Sequence, residues 1–232
     1  MLPYVLLIGA SLAGGLPPVR RPEYRRAYLL VMGLACWLTA SLRHVTGFDY
    51  RFYESAFQSI AAQGLEGAGW SEPGYLLLNW AVSSLGGDYR VFLFVFHLLL
   101  TALVFVWIGR CSASPWLSVF LFLSLQYFAL SMNFLRQSLA AAIVLWAYPF
   151  LKSRRFFPAW AIVLLAACFH RTALIMLPLC LLLALPPTKL HYGLAALAAG
   201  AAYVLMDPLI SLAVSIVPKY QHYLTEKYWQ GN

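Results

Sequence analysis

Eight apolar runs follow one another along this chain, and their spacing constrains the fold more than any other feature. The runs are Leu2–Leu16, Ala27–Arg43, Val91–Ile108, Pro115–Leu130, Leu135–Leu151, Phe157–Phe169, Thr172–Leu185 and Leu190–Met206. Only 10% of the residues are charged, against about 25% in soluble domains. The runs approach the length that crosses a hydrocarbon core. We therefore predict an all-α fold: a polytopic integral membrane protein with about eight transmembrane helices in a single transmembrane domain, 1–232.

The basic residues predict the orientation of these helices. The net charge is +8, from 16 basic and 8 acidic residues. Basic residues occupy every other connection, namely Arg20, Arg21, Arg25 and Arg26, then Arg110, then Lys152, Arg154 and Arg155, then Lys189. By the positive-inside rule these connections face the cytoplasm, so the charge predicts orientation and no nucleic-acid partner. The first run lacks a charged n-region and a clear cleavage site, so we expect a retained helix.

The segment 45–90 is predicted to form a loop on the outer face. Leu76–Leu85 is too short to cross a core of about 30 Å, so we expect this segment to lie flat at the interface, with Ser55–Gln63 as a second interfacial helix. The apolar stretch Pro208–Val217 is also too short to span. With this topology the unusual polar residues collect outside: Asp49, Arg51, Glu54, Glu72, Asp88, Arg136, Gln137, His170 and Arg171.

The strongest candidate site lies in Ser131–Ala140, where Arg136 and Gln137 interrupt an apolar region. An arginine near lipid is costly and is a functional candidate by default. Asn133 or Ser131 is expected to cap the following helix, which would direct backbone N–H groups and Arg136 at one anion, most obviously phosphate. The alternative is an arginine that snorkels to the headgroups.

The segment 131–185 contains the candidate site-forming helices. Its first two arms are each roughly 20 Å long at about 1.5 Å per residue, so Arg136 and His170 should return to a similar depth. His170 is a candidate acid, base or phosphate donor, and Arg171 beside it stays undecided between substrate binding and helix capping.

Further candidates lie in the predicted outer loop. Asp49 is a candidate general base for a sugar hydroxyl. Tyr50 and Tyr53 could stack on sugars or belong to an interfacial aromatic belt. Glu72 is either part of the turn Glu72–Tyr75 or a ligand of an acceptor sugar. The four cysteines form no CxxC pair, so we predict no metal and no cofactor.

Five pieces of the chain, in order, resemble the EpsG family of bacterial exopolysaccharide polymerases, which are Wzy-like membrane proteins. They are Arg43 with Gly47-Phe48-Asp49-Tyr50 and Tyr53, then Glu72-Pro73-Gly74-Tyr75 with Leu78, then Asn133–Ala140, then Phe169–Ile175 with Pro178, and finally Lys219-Tyr220 with Tyr223. The early outer loop also looks like that of GT-C glycosyltransferases. This chain has Arg171-Thr172 where the family usually has a serine, and family members are generally longer, so we expect a chain that is short at its C-terminus.

The resemblance implies a polymerase that joins oligosaccharide repeat units carried on undecaprenyl diphosphate, at the outer face of the bacterial cytoplasmic membrane. It implies catalytic roles for Asp49, Arg136 and His170. The substrate-binding candidates are Tyr50, Arg51, Tyr53, Glu72, Asn133, Gln137 and Arg171. Membrane lipids and other polysaccharide export components are the expected partners.

Three other functions stay open at this stage. A non-catalytic accessory protein of a polysaccharide assembly system would tolerate substitution of the outer polar residues. A transporter or flippase would need polar residues near the midplane and matched broken helices, and the sequence has no internal repeat. An acyltransferase that acts on the same glycan would use the same histidine.

Overall fold

A computed structural model describes residues 2–17, 21–45, 47, 49–68, 72–182 and 188–208, with the isolated positions 211 and 215. Arg20, Phe48, most of Pro208–Val217, and the resemblance residues Lys219, Tyr220 and Tyr223 lie outside these residues. All regular structure in the described part is helical, as the sequence predicts. The α-helices are α1 Leu2–Leu12, α2 Pro22–Ser41, α3 Tyr50–Gln63, α4 Pro73–Ser84, α5 Tyr89–Cys111, α6 Pro115–Ser124, α7 Tyr127–Asn133, α8 Leu135–Val144, α9 Tyr148–Lys152, α10 Phe156–Ala167, α11 Met176–Leu182 and α12 Lys189–Val204.

The chain divides into two compact units, 1–184 and 185–232. The first contains α1 to α11 and the candidate site described below. In the second, α12 begins after Thr188, whose hydroxyl accepts a hydrogen bond from the His191 amide. This contact is a standard N-terminal cap, which satisfies an amide that has no partner within the helix.

Two of the predicted runs are broken in the structure. The run Pro115–Leu130 is split into α6 and α7 at Gln126, whose φ of 65° ends the first helix, and the two halves are bent by 53°. The run Leu135–Leu151 becomes α8, a 3₁₀ turn and α9. Pro149 accounts for this second break, because proline has no N–H to bond the carbonyl four residues earlier.

One helix of the described part, α5, is long and apolar enough to cross a membrane. The bent pair α6 and α7 would supply a second crossing if its two halves form one span. Several other apolar helices are shorter, at 10 to 17 residues. The count of about eight spans and the flat placement of α3 and α4 therefore stay predictions.

Helix α5 lies at the centre of the first unit, with its most extensive contacts on α2 and further contacts on α3, α4, α6 and α8. Phe92 on α5 is completely buried in an aromatic cluster, with ring centroids 5.6 Å from Phe57, 5.9 Å from Tyr75 and 5.7 Å from Phe96. Offset and edge-on pairs of this kind stabilise a core beyond their buried area. The cluster joins the two short helices of segment 45–90 to the central helix.

We expect Phe92→Ala to lower the free energy of unfolding by about 3–5 kcal/mol, because it opens a cavity in this cluster. Phe157→Ala is the matched control, since Phe157 is 84% exposed and fills no cavity. Thermal unfolding of both variants in detergent checks the prediction. Equal midpoints for the two variants would contradict the central position of Phe92.

Candidate functional site

An ion pair between Glu72 and Arg136 forms the centre of the candidate site. The Arg136 Nη1 lies 2.6 Å from Glu72 Oε2, and the two side chains are 21% and 9% exposed. Glu72 precedes α4, whose first residue is Pro73, and Arg136 is the second residue of α8. A charge-assisted contact this short is among the stronger polar interactions in proteins.

His170 lies on the other oxygen of the same carboxylate. Its Nδ1 is 3.5 Å from Glu72 Oε1, and its side chain is 22% exposed. His170 connects α10 to a 3₁₀ turn, Arg171–Ile175, and its backbone is extended. The expected closeness of Arg136 and His170 is therefore observed, with Glu72 between them.

The backbone of the Glu72 turn is tied directly to the chain before His170. The Gly74 amide donates a 2.8 Å hydrogen bond to the Cys168 carbonyl. A Cβ on residue 74 would lie 3.1 Å from that carbonyl oxygen and 3.0 Å from the Phe169 ring. The absence of a side chain at Gly74 therefore allows the close approach of two backbones, which brings Glu72 and His170 together.

A second set of contacts fixes the break that precedes Arg136. The Arg43 guanidinium donates to the Met132 carbonyl at the end of α7, and its Cζ lies 5.9 Å from the Tyr50 ring centroid. Gly47, with a φ of 105°, packs so closely on Asn133 that a Cβ would lie 2.2 Å from its Oδ1. The segment after α2 thus contacts the end of α7, immediately before α8 begins.

The predicted helix caps are wrong. Phe134 occupies the N-cap position of α8, and no side chain there bonds the helix. The Asn133 amide instead donates back to the Ala129 carbonyl, and the Ser131 hydroxyl donates to the Phe128 carbonyl. Both side chains satisfy the end of α7, because α7 and α8 follow one another with one residue between them.

Tyr50 and Tyr53 are core residues and offer no ring face to a sugar in this structure. Their exposed fractions are 3% and 4%. The Tyr50 ring packs edge-on against Tyr89, and the Tyr53 ring lies 6.0 Å from Tyr75. Burial raises the pKa of the Tyr53 hydroxyl, and the Arg136 guanidinium beside it offsets part of that rise. Tyr53 is therefore a buried neighbour of Arg136 at the site.

The remaining predicted site residues lie at the surface of the first unit or are half-buried. Asp49 is half-buried at the start of α3 and makes no capping hydrogen bond, and its charge acts on Tyr53. Arg51 is 73% exposed and pairs with Glu54 at 3.0 Å. Gln137 and Arg171 are exposed. The structure thus joins Arg136, His170 and Glu72 directly, and places Asp49 one side chain away.

The three central residues balance positive and negative charge. Burial and the Arg136 guanidinium lower the pKa of His170, while the Glu72 carboxylate opposes the shift. The ring is therefore neutral near pH 7, because its pKa lies below the ordinary value of about 6.5. No group of three metal-ligating side chains occurs among the described residues. The site is suited to bind an oxyanion through Arg136 and to exchange a proton through the imidazole.

Sequence reasoning underestimated Glu72 and gave Gly74 and Arg43 no individual role. The motif Glu72-Pro73-Gly74-Tyr75 is visible in the sequence, but its partners are distant along the chain. Arg136 is 64 residues away, and the other partners come after the end of α10. A Pro-Gly turn also explains the motif without any partner. Only the folded chain distinguishes these two interpretations.

The described helices thus bring a recessed guanidinium, a carboxylate and an imidazole together at one place. Residues 26–232 match the family model described as EpsG family, and the chain belongs to the EpsG family. Membership supports a membrane protein with an exopolysaccharide-polymerase type of function and a lipid-linked saccharide substrate in general. Searches of curated proteins and of solved structures gave no match.

We expect Gly74→Ala to lower the free energy of unfolding by about 1–3 kcal/mol, the usual cost of overpacking. The new methyl group would press on the Cys168 carbonyl and the Phe169 ring. Gly9→Ala is the control, since no atom lies within 4 Å of its Cβ and alanine is the better helix former. Denaturant unfolding of both variants tests this, and unchanged stability in Gly74→Ala would show that the two backbones can separate.

An NMR titration of labelled histidine checks the electrostatics of the site, with the His170 signal assigned from a His170→Gln sample. The His170 pKa should lie below about 6.5 in the wild type. It should rise in Arg136→Gln, which removes a repelling positive charge, and fall further in Glu72→Gln, which removes an attracting negative charge. A wild-type midpoint above 6.5, or no response to either substitution, would exclude the described arrangement.

Proposed function

We propose that this chain polymerises oligosaccharide repeat units carried on undecaprenyl diphosphate, at the outer face of the bacterial cytoplasmic membrane. The observation that supports this most is the shared contact of Arg136 and His170 with Glu72. This contact brings Arg136, the proposed phosphate-binding group, and His170, the proposed proton-transfer group, together from distant parts of the chain. The proposed outer-face position is supported by the basic connections between helices, which the positive-inside rule assigns to the cytoplasm.

Arg136 is the proposed ligand of the diphosphate. Its guanidinium is always charged and presents a planar fork of donors that suits both carboxylate and phosphate. It is 21% exposed, so it is recessed yet within reach of a headgroup. Charge accumulates on the diphosphate as the bond to the sugar breaks, and a fixed guanidinium at that point stabilises the transition state more than the ground state.

Glu72 is proposed as a positioning residue for Arg136. A recessed guanidinium without a partner is costly, and the carboxylate compensates for it before substrate binds. The 2.6 Å contact also fixes the direction of the fork. This role replaces the expectation that Glu72 binds the acceptor sugar, because a 9% exposed carboxylate engaged by two cationic or polar side chains has little surface left for a hydroxyl.

His170 and Asp49 are the proposed proton-transfer groups. A neutral imidazole that carries its proton on Nδ1, the nitrogen 3.5 Å from Glu72 Oε1, keeps Nε2 as an acceptor. His170 could then shuttle a proton or, when protonated, donate to a phosphate oxygen. Asp49 is the proposed base for the acceptor hydroxyl, since it is half-buried near Tyr53 and makes no capping hydrogen bond. The remaining candidates, Arg51, Asn133, Gln137 and Arg171, stay predictions for substrate binding.

The proposed reaction is a single glycosyl transfer. The acceptor hydroxyl oxygen forms a bond with the anomeric carbon of the lipid-linked donor, and its proton passes to Asp49. The bond between that carbon and the phosphate oxygen breaks, and undecaprenyl diphosphate leaves with the electron pair, held by Arg136. The growing chain is longer by one donor oligosaccharide, and the lipid diphosphate is released.

A deletion strain complemented with wild type, Arg136→Ala or Asp49→Asn tests the proposal. We expect polymer yield to fall about 100-fold or more in both variants, the usual effect of losing transition-state stabilisation for Arg136→Ala and a general base for Asp49→Asn. Lipid-linked single repeats should accumulate, as measured by mass spectrometry, while gels report the secreted polymer.

The controls are Arg155→Ala and Glu66→Gln, which remove exposed charges outside the site, with membrane levels checked by immunoblot. Both controls should restore polymer. Polymer of normal length in Arg136→Ala and Asp49→Asn would reject the catalytic assignment and would favour a non-catalytic accessory role.

A further inference from the structure

A trough of about 520 Å³ runs between α2 and α5, away from the Glu72 site. Most of its walls are apolar, and they include Leu30, Leu34, Leu98, Ala102 and Val106, all of which are exposed. Its floor contains Gly33 and Gly109, where a Cβ would lie 3.4 Å from the Phe105 ring and 3.2 Å from Leu29. The absence of a side chain at both positions therefore allows α2 and α5 to approach closely along the trough.

Three arginines gather at one end of this trough. Arg25 and Arg26 lie near the start of α2, and Arg110 lies in the last turn of α5. All three are exposed, and the Arg110 Cζ lies 5.6 Å from the Trp146 ring centroid. Within the described residues no carboxylate lies within 4.0 Å of these guanidinium groups, although Glu23 lies in the first turn of α2.

The dimensions of the trough match one leaflet of a bilayer. On α5 the lining extends from Leu98 to Arg110, which is about 18 Å at ~1.5 Å per residue. Half of a hydrocarbon core is about 15 Å. A headgroup held at the arginines would therefore sit at the leaflet surface, and its chain would follow the apolar walls towards the midplane.

The geometry points to a binding site for one anionic glycerophospholipid, with its phosphate on Arg25, Arg26 and Arg110 and an acyl chain in the trough. A partner helix would cover the apolar walls but would need carboxylates opposite three arginines. Free phosphate would use the arginines and leave the walls bare. Only an amphipathic anion satisfies both ends. This site is separate from the Glu72 site and does not depend on the proposed polymerase reaction.

Native mass spectrometry of the purified full chain in detergent tests the inference, with dioleoylphosphatidylglycerol and dioleoylphosphatidylcholine titrated separately. We expect wild type to bind one phosphatidylglycerol at low lipid concentration. The triple variant Arg25→Gln, Arg26→Gln, Arg110→Gln should bind it on the order of a hundredfold more weakly, since each arginine near an anionic lipid contributes roughly fivefold. Phosphatidylcholine binding should be weak in wild type and unchanged in the variant.

The matched control is Lys152→Gln, Arg154→Gln, Arg155→Gln, which removes the same charge from the end of α9 and the connection to α10. This variant should bind phosphatidylglycerol as wild type does. Ala102→Trp fills the trough without changing the charge and should also weaken binding. Equal binding in all variants would reject the site in favour of non-specific lipid. A dimer mass that carries no lipid would reject it in favour of a second protein chain.

Discussion

The fold around the candidate site depends on one carboxylate that is nearly withdrawn from solvent. Glu72 is 9% exposed, and such a group is costly to bury unless it is paired. Arg136 Nη1 lies 2.6 Å from one of its oxygens and His170 Nδ1 lies 3.5 Å from the other, so the turn before α4, the start of α8 and the end of α10 meet here. The Gly74–Cys168 backbone bond and the Arg43–Met132 contact hold two of these segments in the required positions. The same carboxylate therefore joins the three segments of the fold and positions the polar side chains of the site.

The helical class follows from the sequence because long continuous apolar runs with few charges favour helices, which satisfy every backbone hydrogen bond within one segment. The ends of α5 and α10 lie within three residues of their predicted positions, whereas α2 begins five residues before its predicted start. The break at Pro149 has a local cause that the sequence displays. The break at Gln126 has no such local signal. Its backbone is left-handed, with a φ of 65°, although the residue is neither glycine nor proline.

The site was partly accessible to sequence reasoning. The similar lengths of the two helices between Arg136 and His170 predicted that both residues lie at one depth. The family resemblance includes the segments that contain both residues. The partner of Arg136 was not accessible, because a pairing across 64 residues leaves no trace in a single sequence. For the tyrosines, the sequence suggested a site role that the structure does not support. Aromatic residues beside an acidic residue suggest sugar stacking, whereas Tyr50 and Tyr53 are buried in the core. Side-chain burial depends on the packed neighbours, which local pattern does not specify.

A double-mutant cycle on Glu72 and Arg136 tests the central claim most directly. The free energy of unfolding would be measured for wild type, Glu72→Gln, Arg136→Gln and the double variant. Each single change leaves one recessed charge without its partner, whereas the double change leaves neither, so the double variant should lose less than the sum of the singles. We predict a coupling energy of roughly 1–3 kcal/mol. Losses that add to within about 0.5 kcal/mol would contradict a direct pair and the site built on it.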